Sequence, residues 1–245
     1  MYGLYVDTSS VNPQGSHNRD GGFSIRCILK SDAEIISETE TMQSVTNDQL
    51  ATIMPSEGST ASLRDARDDQ VYTLAKINGN YWMTQNLRFT GTSLDPATTN
   101  IDTNKTISYG GLTAGDSYDE PRILDSGNTT YGVYYNYAAA SAGTITGVSN
   151  SNTQTYDVCP KGWRLPTESE FSGITSYSSA FSPVKSGNYS SGSRYDAGSK
   201  GCWWSATPHP NYSSIRYFLY YDGSSLSTSN SGRIVGYSVR CIRSS

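Results

Sequence analysis

The seven residues Gly236-Tyr237-Ser238-Val239-Arg240-Cys241-Ile242 near the end of this chain have a near-copy at its start, Gly22-Phe23-Ser24-Ile25-Arg26-Cys27-Ile28. The match extends upstream. Tyr2, Leu4, Tyr5, Asp7, Ser9 and Ser10 match Tyr217, Leu219, Tyr220, Asp222, Ser224 and Ser225 without a gap. After a one-residue slip, Arg19, Gly22, Ser24, Arg26, Cys27 and Ile28 match Arg233, Gly236, Ser238, Arg240, Cys241 and Ile242. Two strings rich in Ser and Tyr agree in places by composition alone, but a shared G-[FY]-S-[VI]-R-C-I ending is too specific for that. Residues 1–30 therefore read as a partial duplicate of the C-terminal strands of the chain's own domain. An isolated two-stranded hairpin is marginal in water, so this segment needs something to pack on. Self-association through residues 1–30, in a tandem array or by strand addition to a neighbouring subunit, is the expected answer.

The 245 residues suffice for one sizeable domain with an appendage, or for two small domains. Only 35% are hydrophobic and 16% charged, while 19 are Tyr and 23 Gly, a balance suited to an extracellular β-rich or loop-rich protein rather than a helical one. A net charge of -4 with 18 scattered Lys+Arg offers no basic stripe, so nucleic acid is not an expected partner. No apolar run approaches the roughly 20 residues that cross a bilayer, and no membrane span is expected. The start lacks the basic-then-apolar pattern of a signal peptide. Either export information was removed, or Met1 is not the natural start.

Cysteines stand at Cys27, Cys159, Cys202 and Cys241, without a C-x-x-C pair, and His209 is the only histidine near any of the last three. That disfavours zinc. An oxidising compartment is expected, where a Cys159–Cys241 bridge would close a loop of roughly 80 residues and contribute a few kcal/mol.

Residues 31–70 read as a polar connector with one helix-compatible patch, Val45 to Met54, capped by Thr46 or Asn47 and stopped by Pro55. The domain proper is expected over 71–245. Val71 to Ile77 alternates like a strand, Asn78-Gly79 supplies a tight turn, and Tyr81-Trp82-Met83 continues as its partner. Residues 91–128 read as long loops. Ala138-Ala139-Ala140 favours a short helix, and Pro166-Thr167-Glu168-Ser169-Glu170-Phe171 carries a capping box for a second. Strand-like runs follow at 202–206, 216–222, 224–227 and 235–242. The expected class is α+β: antiparallel strands with two short helices and long loops.

Three strings, YWMTQNL (81–87), CPKGWRLPT (159–167, continuing ESEF) and GCWWSAT (201–207) followed by the GYSVRCI ending, resemble the Fibrobacter-type major paralogous domain, a bacterial surface family. The resemblance spans roughly Val71 to Arg243. It implies a C-type lectin-like fold, since RLPTESEF is similar to the corresponding segment of formylglycine-generating-enzyme-like members of that fold. Trp82, Trp163 and Leu165 are expected in the core, and Trp204 with them. Family members often carry cysteines in the polar segment before the domain and near Tyr81-Trp82, where this chain has none. A second bridge is therefore not expected, leaving Cys27 and Cys202 as free thiols or in an unusual pairing, with Cys27 open to another chain.

Lectin-fold proteins of this type include variable proteins of diversity-generating retroelements, whose C-terminal strands and loops carry ligand contacts altered by adenine-directed mutagenesis. The resemblance implies such a surface between Cys202 and Arg233, with Trp203, His209, Asn211, Tyr212, Ser214, Arg216, Tyr217, Tyr221, Asn230 and Arg233 as the candidate contacts. Tyr and Trp give rigid contact area while Ser and Asn adapt, the mixture that paratopes use. Against this, strand periodicity turns alternate residues inward whatever their type. The expected partner is a protein or glycan at a cell surface, met by an extracellular or cell-surface adhesin or receptor. Catalysis is not expected: Cys202 has no companion thiol or base, and His17 and His209 assemble no triad. No cofactor is expected. Asp116, Asp119, Glu120 and Asp125 supply oxygens for a structural Ca²⁺, although solvated loop acids are the commoner case.

Overall fold

The computed structural model describes residues 2–6, 11–16, 40–111, 117, 119–144 and 155–245. The chain divides into two compact units, Met1–Ser31 and Asp32–Ser245.

In the first unit β1 (Tyr2–Val6) pairs antiparallel with β2 (Val11–Ser16), matching Val6 to Val11, Tyr5 to Asn12, Gly3 to Gly15 and Tyr2 to Ser16. Between the middle two pairs β2 holds one residue more than β1, an irregularity of the β-bulge kind at Pro13-Gln14. Proline is tolerated there because a bulge interrupts the ladder.

The second unit is mixed α+β with mostly antiparallel sheets and short helices. Its strands are β3 (Thr60–Arg64), β4 (Val71–Ile77), β5 (Asn80–Met83), β6 (Ser93–Leu94), β7 (Lys105–Thr106), β8 (Ser108–Tyr109), β9 (Arg122–Asn128), β10 (Gly132–Tyr135), β11 (Asn188–Ser190), β12 (Ser193–Tyr195), β13 (Gly201–Pro208), β14 (Ile215–Tyr221), β15 (Leu226–Gly232) and β16 (Ile242–Arg243). The α-helices span Asn47–Ile53, Tyr137–Ala140, Glu168–Gly173 and Ser178–Phe181. Residues 105–109 and 122–128, expected as loop, contain three of the strands, and β8 runs parallel to β9.

The β4–β5 hairpin turns at Asn78 and Gly79, both at positive φ, as a two-residue turn of the type that suits strand twist requires. β3 extends this sheet on one side and β16 on the other. The compact unit thereby reaches upstream of the start expected at residue 71 and takes in residues that read as a connector. Met42, Val45, Leu50, Met54 and Leu63 are all buried, and the Trp163 Nε1–H donates to the Met42 carbonyl at 2.8 Å. Helix Asn47–Ile53 begins at a capping box between Thr46 and Gln49 and stops at Met54, ahead of Pro55. Few apolar residues in a polar stretch give a weak signal, yet each of these five reaches the core.

A second sheet, ordered β13–β14–β15, is covered on both faces. Trp203, Leu219 and Leu226 pack with Trp82, Phe171, Ile174 and Phe181, while Trp204 and Phe218 join Tyr237 in the main core. Trp82, Trp163, Leu165 and Trp204 are buried as expected. Cys159 and Cys241 form a disulfide across a sequence separation of 82, and the Asp157 carboxylate beside it accepts from the Cys159 and Leu165 amides at 3.0 and 2.9 Å.

Candidate functional site

The β13–β14 connection carries the feature that stands out on this scaffold. Pro208 and Pro210 flank His209, and Pro208 pairs with Arg216 across the hairpin after an irregularity that follows Trp204. The His209 ring stacks on Tyr217 with centroids 5.7 Å apart at 22°, and Tyr212 lies 5.1 Å away on a tilt. Tyr212 is 59% exposed, the most open large hydrophobic side chain among the described residues. Asn211, Ser214 and Asn230 are exposed around it, Asn230 directly opposite Tyr217 on β15.

The loop is held from beneath. Arg216 donates from Nη1 to the Ser213 carbonyl at 2.9 Å and to its neighbour Ile215 at 2.8 Å, with its guanidinium 5.0 Å over the buried Tyr137 ring. Burial pulls its pKa down from the ordinary arginine value. The Arg233 amide donates to the Ser214 carbonyl at 2.9 Å, and the Arg233 guanidinium pairs with Asp119 at 2.5 Å. The Asn211 amide donates to His209 Nδ1 at 3.2 Å. Two buried arginines and a ring nitrogen therefore fix the backbone that displays the three rings. At the helix side, the Glu168 amide donates to Thr207 Oγ1 at 2.9 Å, and Thr228 Oγ1 donates to the Glu168 carboxylate at 2.8 Å, tying β13 and β15 to one helix start.

Of the ten residues expected as contacts, the structure brings six together: His209, Asn211, Tyr212, Ser214, Tyr217 and Asn230. Three are corrected. Trp203, Arg216 and Arg233 are buried to 1% exposure or less, so their side chains offer no surface. Trp203 packs edge-on to Phe181 at 5.3 Å and donates from Nε1 to Asn86 Oδ1 at 2.7 Å. For Trp203 and Arg216 the physical reason is the double cover of this sheet, which buries strand residues of both parities, and Arg233, one residue beyond β15, is held beneath the loop by its pair with Asp119. Tyr221 lies at the other end of β14, partly buried against the second core cluster, with its hydroxyl donating to the Gly223 carbonyl at 2.8 Å. The seat of Arg216 over the Tyr137 ring and the bonds of Glu168 with Thr207 and Thr228 carry no signal in the sequence, because those partners lie on other elements.

Cys202 is buried, and burial pushes its thiol up to about 12, far from a thiolate at neutral pH. Cys27 and His17 lie outside the described residues. So does Asp116 among the acids considered for calcium. The other three each face a different arginine: Asp119 with Arg233, Glu120 with Arg122 at 2.5 Å, and Asp125 with Arg194 at 2.7 Å. No helix among the described residues is long and apolar enough to cross a membrane.

Residues 75–182 match the family described as the Fibrobacter succinogenes major domain. The match contains the YWMTQNL and CPKGWRLPT strings and ends before β13, so it supports this family for the scaffold and leaves the aromatic loop outside it. Comparison with characterised proteins and with solved structures gave no match.

Proposed function

We propose that this chain is an extracellular, non-catalytic binding protein with a C-type lectin-like fold, which recognises a protein or glycan ligand at a cell surface through the end of its β13–β14–β15 sheet. The observation that carries this reading is the His209–Tyr212–Tyr217 cluster, one exposed and two half-buried rings on and beside a loop whose backbone is fixed by buried groups. Stacked rings present flat apolar faces to a sugar ring or to a partner's side chains, and Asn211, Ser214 and Asn230 add adaptable hydrogen bonds at the rim. Holding the loop before the ligand arrives lowers the ordering cost of binding. The disulfide supports an oxidising compartment. The Ser, Asn and Tyr content of this window supports a surface diversified by a retroelement, and a reverse transcriptase beside an imperfect, adenine-rich copy of this stretch in the genome is the expected accompaniment.

The test is the triple substitution H209A/Y212A/Y217A, screened with the parent chain on glycan arrays and on displayed cell-surface proteins. The parent is expected to capture a ligand that the variant loses by at least tenfold in affinity. The thermal midpoint should shift by no more than a few degrees, because Tyr212 is exposed and His209 and Tyr217 are only half-buried. A variant that binds as the parent does places recognition elsewhere, and one that fails to fold makes the rings structural.

A further inference from the structure

The hairpin of the first unit repeats the register of β14–β15, not merely its sequence. In the domain Tyr221 faces Leu226, Tyr220 faces Ser227, Phe218 faces Ser229 and Tyr217 faces Asn230. The matched residues Val6 and Val11, Tyr5 and Asn12, Gly3 and Gly15, Tyr2 and Ser16 face one another in the same order. The one-residue slip between the two strings is the extra residue that β2 takes up at its irregularity. The residue types of the turn recur in the sequence as well: Asp222 accepts from the Ser224 and Ser225 amides at 2.8 Å each, and Asp7, Ser9 and Ser10 are the matched residues.

What is kept and what is lost follows a rule. The closing segment of the domain is joined to the rest through Leu219, Gly236, Arg240, Cys241 and Ile242. Leu219 faces Trp203, and a Cβ on Gly236 would meet Leu124 and Tyr189 at 2.9 and 3.0 Å. The Arg240 guanidinium donates to Asn86 and to the carbonyls of Phe181 and Ser182, Cys241 bonds Cys159, and Ile242 pairs with Trp82. All five recur in the first string as Leu4, Gly22, Arg26, Cys27 and Ile28. Of the proposed contact residues, His209, Asn211, Tyr212 and Ser214 lie outside the repeated string, while Tyr217 recurs as Tyr2 and Ser16 stands where Asn230 does. One position weakens the copy: Gly3 stands where Phe218 packs 4.6 Å from Tyr237. β14 pairs on both edges, with β13 and with β15, whereas β1 pairs with β2 alone among the described strands and keeps one edge open. An open edge is a template for another strand.

We propose that residues 2–28 are a second closing segment, and that their partner is another copy of this chain, in which they take the place of residues 217–242 against β13, Asn86 and Cys159. Such an exchange costs little, since it replaces contacts by contacts of the same kind. Because of Gly3 the resident segment is the better fit, so exchange shows where the resident segment is weakened.

The full chain carrying C241S, mixed half and half with the same chain labelled with ¹⁵N and folded in a glutathione redox buffer, tests this. Oxidised glutathione takes two electrons from the thiols of Cys27 and Cys159 and leaves as two reduced molecules while the two proteins join. Mass spectrometry should find Cys159 linked to Cys27 in peptides of mixed label, at least tenfold over linkage to Cys202. Folding the same mixture in urea should erase that preference. Absence of the Cys27–Cys159 peptide, a bond confined to one label, or equal linkage to Cys202 would overturn the proposal. A readout without the cysteine change guards against a variant that does not fold: light scattering of the chain weakened instead by Ile242→Ala should show, at rising concentration, association that adding Leu4→Asp abolishes, and an unchanged monomer throughout would equally sink it.

Discussion

Arg240 is a guanidinium inside a core, fully buried with no carboxylate among its partners. It donates to Asn86 Oδ1 at 2.8 Å, to Ser182 at 3.0 Å and to Phe181, and lies 4.3 Å over the Phe181 ring and 5.1 Å over Trp203. Its planar fork reaches three oxygens at once, one on Asn86 and two on the end of helix Ser178–Phe181, which an ammonium on a flexible stem does not. Arg240→Lys is therefore expected to destabilise by about 2–4 kcal/mol, close to the loss from Arg240→Ala, because both leave buried carbonyls without donors. Urea denaturation of the two variants checks this; a lysine variant as stable as the parent would mean that the charge alone matters. The sequence showed this arginine recurring in a string, which marked it as framework. It did not show why, since Asn86 and the adjacent pair Phe181-Ser182 both lie far from Arg240 in the chain. The same limit hid Arg216 and Arg233, whose type and neighbourhood suggested surface and whose place is under the loop.

Helix Glu168–Gly173 shows what a short element yields to reading. Its start was legible because a capping box is local: Thr167 Oγ1 accepts from the Glu170 amide at 3.2 Å and the Glu170 carboxylate accepts from the Thr167 amide at 2.8 Å. The further use of Glu170 was not, since Arg164 binds both its oxygens at 2.6 and 2.8 Å. Burial alone would raise the carboxyl, but Arg164 and Thr167 outweigh it and hold its pKa below the ordinary glutamate value. A carboxylate depressed in the folded state stabilises at pH values above its unfolded pKa, and that stability is lost as pH falls through the folded value. Glu170→Gln should cost about 1 kcal/mol at pH 7, the figure being modest because the pair is partly exposed. It should also flatten the fall in stability below about pH 4.5. Thermal midpoints of parent and variant between pH 3 and 7 measure both effects, and parallel curves would remove Glu170 from the acid response. The start of the domain was missed for the opposite reason: Met42, Val45 and Leu63 are spread over a polar stretch, and their burial depends on strands and loops far along the chain.

At the scale of the molecule, the second unit joins its early and its last elements at one place. β16 completes the sheet that β4 and β5 open, the Arg243 guanidinium donates to Asn47 Oδ1 at 2.7 Å, and Cys241 is bonded to Cys159 one residue before β16 begins. This closure was legible in outline, because two of four cysteines bracket the most specific strings. The double cover of β13–β15 was not, because periodicity reports which residues share a face and never whether the other face is covered too. The closure also decides which contribution dominates. Cross-linking over 82 residues removes chain entropy from the unfolded state worth about 4 kcal/mol, whereas the two residue pairs of β16 with β5 contribute roughly 1 kcal/mol each or less. The double variant C159S/C241S should thus lose about 3–4 kcal/mol in denaturant unfolding while keeping a cooperative transition, because Arg240 and Ile242 still seat the last strand. Hydrogen exchange should show the loss concentrated at Val239 to Arg243 and at the β5 amides they cover, with the β13–β14 loop unchanged. A loss spread evenly over β13–β15 would instead make the disulfide a support of the recognition loop. A loss under 1 kcal/mol would mean that the closing strand is held by its own contacts, and the segment would then resist the exchange that residues 2–28 are built to make.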